Sequence, residues 1–325
     1  MKKIAVLGWA GHGNLGDELM LDGLKNLFKG CEFMVMSNDN RGTYPFIDFD
    51  AINSCDLCIL GGGELIHADH LFMPTPSIFK APSLMYRIYA RTPLAHLPWT
   101  HRIKIPKIIF GCGVNAEGSS QLKLNVIEDL ERFDYIGVRD NTSLNILKSF
   151  PRLKDKVFLS YDASFGIKID RSWEAYDKVD RAIIIPTDRF TVGDEGVLER
   201  DIAVKSRDWL NEKLVSYKEK IFIAFGEIDN DDYETCKILS DKSSTILRSN
   251  NLLLQEILVM MGISKIVFPY RLHGLILSFI TGTPYDFYPY HWKLQRVNDT
   301  IKDKKVEEIQ NTQKAIADEI MEMIM

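Results

Sequence analysis

The run Pro269-Tyr270-Arg271-Leu272-His273-Gly274-Leu275-Ile276 concentrates groups that hold an anion and move a proton. It follows the apolar strand pattern Ile266-Val267-Phe268 and opens an apolar helix pattern that reaches Gly282. Arg271 and His273 therefore stand at a strand end and a helix N-terminus, where helix amides, a guanidinium and an imidazole together suit an anionic ligand. Gly274 beside them adds to the functional reading. Downstream, Tyr288-Pro289-Tyr290-His291-Trp292-Lys293 follows the next strand, so His291 or Lys293 either joins the same mouth or serves structure alone. A further arginine ends a strand in Ile136-Gly137-Val138-Arg139-Asp140. Its planar fork suits a carboxylate or a phosphate, and its structural reading is an ion pair with Asp140 or another acid.

Glycine-bearing strand ends form the second set. Gly11-His12-Gly13-Asn14-Leu15-Gly16 is a literal G-x-G-x-x-G opening a helix, the spacing of a dinucleotide fingerprint. Asp17 and Glu18 argue against that use, because two carboxylates in the first helical turn repel a pyrophosphate where it would need the amides. Acids at a helix start are also ordinary dipole compensation. Gly61-Gly62-Gly63 precedes Glu64, so backbone approaches a ligand closely beside a carboxylate suited to sugar hydroxyls; a tight turn explains one or two of these glycines. Gly111-Cys112-Gly113-Val114-Asn115 ends another strand in the same way.

The elements that must position these groups alternate along the chain. Strand patterns lie at Lys3 to Gly8, Glu32 to Ser37, Cys55 to Leu60, Ile105 to Gly111 and Tyr135 to Val138. Helical patterns run from about Asp17 to Phe28, from Ser119 to Arg132 and onward from Asn141. The second half repeats the theme at Ala182 to Pro186, Ile221 to Phe225, Thr245 to Leu247, Lys265 to Phe268 and Tyr285 to Phe287. Helices span Arg200 to Lys220 and Leu252 to Gly262. Such alternation predicts an α/β chain of two Rossmann-like domains with parallel sheets and a cleft between them, ligands binding at the strand ends. The domains expected are 1–170 and 171–325, joined by the polar stretch Asp170 to Arg181. The last helix, about 304–325, is expected to pack back on the first domain.

Composition bounds the function. Among 325 residues, 40 basic against 45 acidic side chains give a net charge of −5, so no nucleic-acid footprint exists and an anion must be met by local cations. Five cysteines are an odd count that fits a reducing cytoplasm rather than a disulfide framework. The Met1-Lys2-Lys3 start lacks a signal core, since its apolar run breaks at Gly8. No window is long and apolar enough to span a membrane. Cys55-x-x-Cys58 reads as strand packing with its two thiols on opposite faces. His67, Asp69 and His70 form a minor metal-like trio, and no metal is required. Lys80 to Lys107 interleaves Arg87, Arg91, Arg102 and Lys104 with Tyr86, Tyr89 and Trp99. That pattern suits a solvated face and, as a second reading, peripheral contact with a membrane or a lipid-linked substrate.

Taken in order, Gly11-His12-Gly13-Asn14-Leu15-Gly16-Asp17-Glu18, Gly61-Gly62-Gly63, Val138-Arg139-Asp140 and Arg271-Leu272-His273-Gly274 resemble the polysaccharide pyruvyl transferase family, over about residues 4 to 293. The resemblance implies the two-Rossmann GT-B architecture and transfer of a pyruvyl group from phosphoenolpyruvate to a sugar of a cell-surface polysaccharide, as a ketal bridging two hydroxyls. It places Arg139 and His273 at the donor. Around that expectation Arg271, Gly274, His291 and Lys293 are taken as donor-side, and Gly13, Asn14, Gly62, Gly63 and Glu64 as acceptor-side. His273 is the general acid, and the base is Asp17, Glu18 or Glu64. No cofactor is expected besides phosphoenolpyruvate as co-substrate. The setting is the cytoplasm or the inner face of the membrane. The alternative is a glycosyltransferase of the same architecture with a nucleotide-sugar donor, using Glu227 or Asp229. A sensing or assembly protein that kept the fold without chemistry is the third reading.

Overall fold

The computed structural model describes residues 1–8, 10, 13–36, 49–71, 99–116, 122–187, 197–226 and 232–324. The chain forms two compact units. Unit 1 comprises Met1–His12, Met20–Ile167 and Glu307–Met325; unit 2 comprises Gly13–Leu19 and Lys168–Val306.

Unit 1 is built on a parallel six-stranded sheet of order β2-β1-β3-β5-β7-β8. Its strands are β1 (Lys3–Leu7), β2 (Glu32–Met36), β3 (Leu57–Gly61), β5 (Lys107–Cys112), β7 (Tyr135–Val138) and β8 (Val157–Leu159). Two short strands, β4 (Ile66–His67) and β6 (Val114–Asn115), pair beyond its strand ends. The apolar runs need cover on both faces, as parallel strands do, and the side chains divide by alternation. Ala5, Leu7, Cys58, Leu60 and Ile109 enter one core. Ile4, Val6, Leu57, Ile59, Ile108 and Phe110 enter the other. The second core is closed by α1 (Leu15–Leu27) and by the C-terminal helix through Ala317, Ile320 and Ile324. In this strand order the direction of winding reverses between β1 and β3, the place where doubly wound sheets hold ligands. Gly8, just after β1, and Gly61, at the end of β3, flank that point, where a Cβ on Gly8 would lie 2.5 Å from Gly61 O.

Helices α2 (Leu124–Leu130) and α3 (Asn141–Lys148) connect the later strands. The cap of α3 is Asp140, whose carboxylate accepts from Ser143 N at 2.8 Å and Ser143 Oγ at 2.8 Å.

Unit 2 carries a parallel sheet of order β11-β10-β9-β12, formed by β9 (Val179–Ile185), β10 (Glu219–Ala224), β11 (Thr245–Arg248) and β12 (Ser264–Pro269). Its helices are α4 (Val197–Leu214), α5 (Asp232–Leu239), α6 (Leu254–Ile263), α7 (Leu272–Thr281) and α8 (Trp292–Ile301), with α9 (Val306–Met323) following. Winding reverses here between β9 and β12, and β12 leads directly into Arg271 and His273. Helix α7 ends at Gly282, whose φ of 64° is the left-handed cap that glycine adopts without cost.

Several elements differ from the sequence reading. The stretch read as a linker holds Trp173, which is buried against Gly262. The strand expected at Tyr285 to Phe287 is a single bridge from Tyr285 to Val267. Cys55 precedes β3, so it and Cys58 share one core instead of lying on opposite faces. Strand β8, three residues long, and helix α8 lie outside the sequence reading.

Helix α1 lies unusually near the turn after β8: a Cβ on Gly23 would sit 1.9 Å from the Ala163 carbonyl oxygen. Helix propensity alone would make Gly23→Ala stabilising by up to about 1 kcal/mol. The clash is with backbone that cannot rotate away, so overpacking of about 1–3 kcal/mol outweighs it. Gly23→Ala is expected to lower the urea midpoint; an increase would mean that α1 is not held against this turn.

Candidate functional site

In unit 2 a closed ring of contacts holds the imidazole of His273. Asn14 bridges Gly226 in antiparallel fashion, and Leu15 N donates to Phe225 O at 2.9 Å, fastening the start of α1 beside the end of β10. Gly226 N donates in turn to Asp232 Oδ2 at 2.8 Å. Asp232, fully buried at the start of α5, takes Arg271 in two bonds, with Nε at 3.0 Å from Oδ2 and Nη2 on Oδ1. Arg271 is the N-cap of α7, and His273 stands in its first turn. The ring closes on Gly16, where a Cβ would lie 2.0 Å from His273 Nδ1. Only glycine permits this approach. His273 is partly exposed as a residue, with its Nε2 buried and its Nδ1 side against Gly16.

The start of α1 is ordered by one side chain. Asn14 Oδ1 accepts from Gly16 N at 3.1 Å, while Asn14 Nδ2 donates to Asp17 Oδ2 at 2.7 Å. Gly13 turns the chain with φ 72°. The N-termini of α1 and α7 therefore meet at the imidazole, with Asp17 and Glu18 in the first turn of α1. Such an arrangement offers the start of α7 to an anion, a titratable ring, and a carboxylate whose direction is set by Asn14, while the first amides of α1 are already taken by Phe225 O and Asn14.

Unit 1 gathers a second group at its strand ends. Gly62 and Gly63 have φ of 86° and 72°, and Gly63 O accepts from Gly113 N at 2.9 Å. Arg139, at the end of β7, is 3% exposed. Its Nη2 donates to Glu64 Oε1 at 2.9 Å, and its Nη1 lies 3.8 Å from Asp162 Oδ2. A Cβ on Gly113 would come within 2.9 Å of Arg139 Nε, so this glycine makes room for the guanidinium. The structural reading of Arg139 as an ion-paired residue is thus realised, with Glu64 and Asp162 as partners; Asp140 instead caps α3. Tyr161, next to Asp162, is buried with φ 56°, a conformation costing about 1–3 kcal/mol for a non-glycine residue. Gln313 of α9 donates to both flanking carbonyls, Ser160 O at 3.0 Å and Asp162 O at 2.8 Å. Two such bonds, each worth about 1 kcal/mol, offset that strain.

The remaining expectations fall as follows. His291 caps α8, its Nδ1 accepting from Lys293 N at 3.3 Å. Gly274 is buried beside Ile185 and Pro269, where a Cβ would be 2.9 Å from Ile185 Cδ1. His67 and His70 stack at 4.4 Å, and His70 Nδ1 lies 2.7 Å from Asp69 Oδ1. Desolvation, and then the neighbouring His70, hold His67 below the ordinary histidine range. Burial pushes the Cys112 thiol up to about 12. Among the described residues no cluster of His, Cys, Asp and Glu is composed to hold a metal ion, and no helix is long and apolar enough to cross a membrane. His12, Glu227, Asp229 and most of the segment from Lys80 to Lys107 lie outside the described residues. Sequence reasoning missed Asp232, Asp162 and Gln313. Asp232 is 39 residues from Arg271, and no spacing rule connects them.

Parallel sheets with glycines, acids and an imidazole at their strand ends define an α/β ligand-binding chain of the GT-B-like class. The model of the family described as polysaccharide pyruvyl transferase matches residues 14–285. The chain belongs to that family. No curated protein matches it. Among solved structures, UDP-GlcNAc 2-epimerase from Methanocaldococcus jannaschii is 11% identical with a TM-score of 0.52, covering 97% of this chain and 98% of that one. UDP-N-acetylglucosamine 2-epimerase from Rickettsia bellii is 10% identical with a TM-score of 0.53, covering 100% and 96%. MnaA of S. aureus, solved with UDP, is 10% identical with a TM-score of 0.53, covering 97% and 91%. At these identities the likeness is one of fold.

Removing one partner of a buried ion pair strands the other charge. Asp232→Ala is therefore expected to cost about 3–5 kcal/mol of unfolding free energy in guanidinium titrations. A loss below about 1 kcal/mol, the range of an exposed pair, would show that the Arg271–Asp232 contact does not hold the ring together.

Proposed function

We propose that the protein transfers a pyruvyl group from phosphoenolpyruvate to two hydroxyls of a polysaccharide sugar or its precursor, releasing phosphate. The observation that carries this reading is the packing of His273 on Gly16, where two helix N-termini meet a titratable ring in a chain of this family. Phosphoenolpyruvate presents a phosphate and a carboxylate. Amides at the start of α7 suit an anionic group in a chain whose net charge is −5, whereas those of α1 already donate to Phe225 O and to Asn14. Arg271 and Arg139 already hold acids, so their contribution is to keep the strand ends ordered more than to bring uncompensated charge.

The reaction assigns each atom a place. His273 delivers a proton to the methylene carbon of the enol, making it the methyl group of the product. The first sugar hydroxyl attacks the adjacent carbon and gives its proton to a carboxylate. Asp17 is the choice, because Asn14 fixes its direction beside Gly16. The bond from that carbon to the phosphate oxygen breaks, and the second hydroxyl attacks the same carbon. Its proton leaves with inorganic phosphate, completing the ketal. Glu18 lies in the same helical turn as Asp17, while Gly62, Gly63 and Glu64 serve the acceptor hydroxyls. His291 and Lys293 hold the start of α8, on the proposed donor side.

Calorimetric titration with phosphoenolpyruvate, beside a panel of nucleotide sugars, tests the donor. Saturable binding of phosphoenolpyruvate alone is expected. Binding of a nucleotide sugar in its place would replace this reading with a glycosyltransferase. In phosphate-release assays His273→Ala is expected to lower turnover by about 100-fold to 10,000-fold, the usual worth of a general acid, with an unchanged melting temperature. Wild-type turnover in that variant would remove His273 from the chemistry.

A further inference from the structure

We infer that Gln313, in the C-terminal helix α9, is a positioning residue for the Glu64 carboxylate, acting through the Ser160–Asp162 turn and Arg139. This rests on the reading above that Glu64 faces the sugar acceptor. Four contacts within unit 1 make the connection. The Gln313 amide nitrogen, fully buried, grips the two carbonyls on either side of Tyr161, at 3.0 Å and 2.8 Å. That residue is the left-handed point of the turn, so the grip sets the direction in which the chain leaves it. The next residue is Asp162, itself fully buried. Its Oδ1 is engaged by Ser164 N at 3.1 Å and Ser164 Oγ at 2.7 Å, which turns Oδ2 toward Arg139 Nη1. Arg139 passes the constraint to Glu64 Oε1.

Exposure identifies which end of this relay meets a ligand. Gln313 and Asp162 are fully buried and the Arg139 side chain is 3% exposed, whereas the Glu64 side chain is 19% exposed. Gly113 lies against the guanidinium on another side, where even a methyl group would collide with it. A shift of the turn therefore moves the charge that faces the guanidinium, and Glu64 follows. Gln310, one helical turn earlier, supplies an internal control. It also bonds unit 1 backbone, at Phe165 O and 2.8 Å, and not the Ser160 or Asp162 carbonyl, although Phe165 N donates to the latter at 3.1 Å.

Carboxyl labelling of the full chain with carbodiimide and glycine ethyl ester, mapped by mass spectrometry, reads Glu64 directly. Gln313→Met is nearly isosteric and keeps the packing while removing the two bonds; Asp162→Asn breaks the relay one step later. Both are expected to raise the labelling rate of Glu64 at least threefold at an unchanged far-ultraviolet spectrum, while Gln310→Met leaves it at the wild-type rate. An unchanged rate in Gln313→Met, or an equal rise in Gln310→Met, would overturn the inference and leave α9 with a packing role alone. Titration of the wild-type protein with phosphoenolpyruvate is read separately. If it fails while the labelling pattern holds, the donor assignment falls and the positioning of Glu64 by Gln313 stands.

Discussion

The approach of Gly16 to His273 constrains everything built around it. An imidazole seated 2.0 Å from where a Cβ would be leaves one residue type at position 16 and fixes where α1 begins. Fixing that start requires the Asn14 and Leu15 backbone to be fastened to Phe225 and Gly226, which places glycine beside Asp232. Asp232 can be buried only because Arg271 neutralises it, and Arg271 lies two residues before His273. Each contact is ordinary in strength. Closed into a ring, they fix where α1 and α7 begin on either side of the imidazole.

Unit 1 solves a related problem with burial in place of a ring. A guanidinium that is 3% exposed needs opposite charge beside it. Glu64 and Asp162 supply the charge, and the glycines at 62, 63 and 113 supply the space. Placing an ion pair there, where apolar residues would pack more cheaply, keeps a carboxylate at the strand ends with a defined direction. Helix α9, last in the chain, belongs to this unit and carries the glutamine that braces its strained turn.

Much of this was legible in the residues. Apolar runs followed by glycines marked the ends of β1, β3 and β5, because buried parallel strands are continuous and their ligand-facing ends need backbone access. Arg271-Leu272-His273-Gly274 was readable for the same reason: a strand pattern changing to a helix pattern puts those side chains at a helix start. Two carboxylates after Gly16 already spoke against a dinucleotide, and the bond from Asn14 to Asp17 orders one of them at the helix start. Partner identities were not legible. Asp232, Asp162 and Gln313 meet their targets through the fold, 39 residues and more along the chain, and local spacing carries no trace of such pairings. The thiols of Cys55 and Cys58 illustrate the same limit, since a strand starting two residues later changes which way one of them points.

A crystal structure with phosphoenolpyruvate bound tests the central claim most directly. The account predicts a phosphate or carboxylate oxygen against the backbone amides at the start of α7, with the methylene carbon within contact of the His273 ring. Phosphoenolpyruvate bound away from His273, with the Gly16 contact undisturbed, would contradict it.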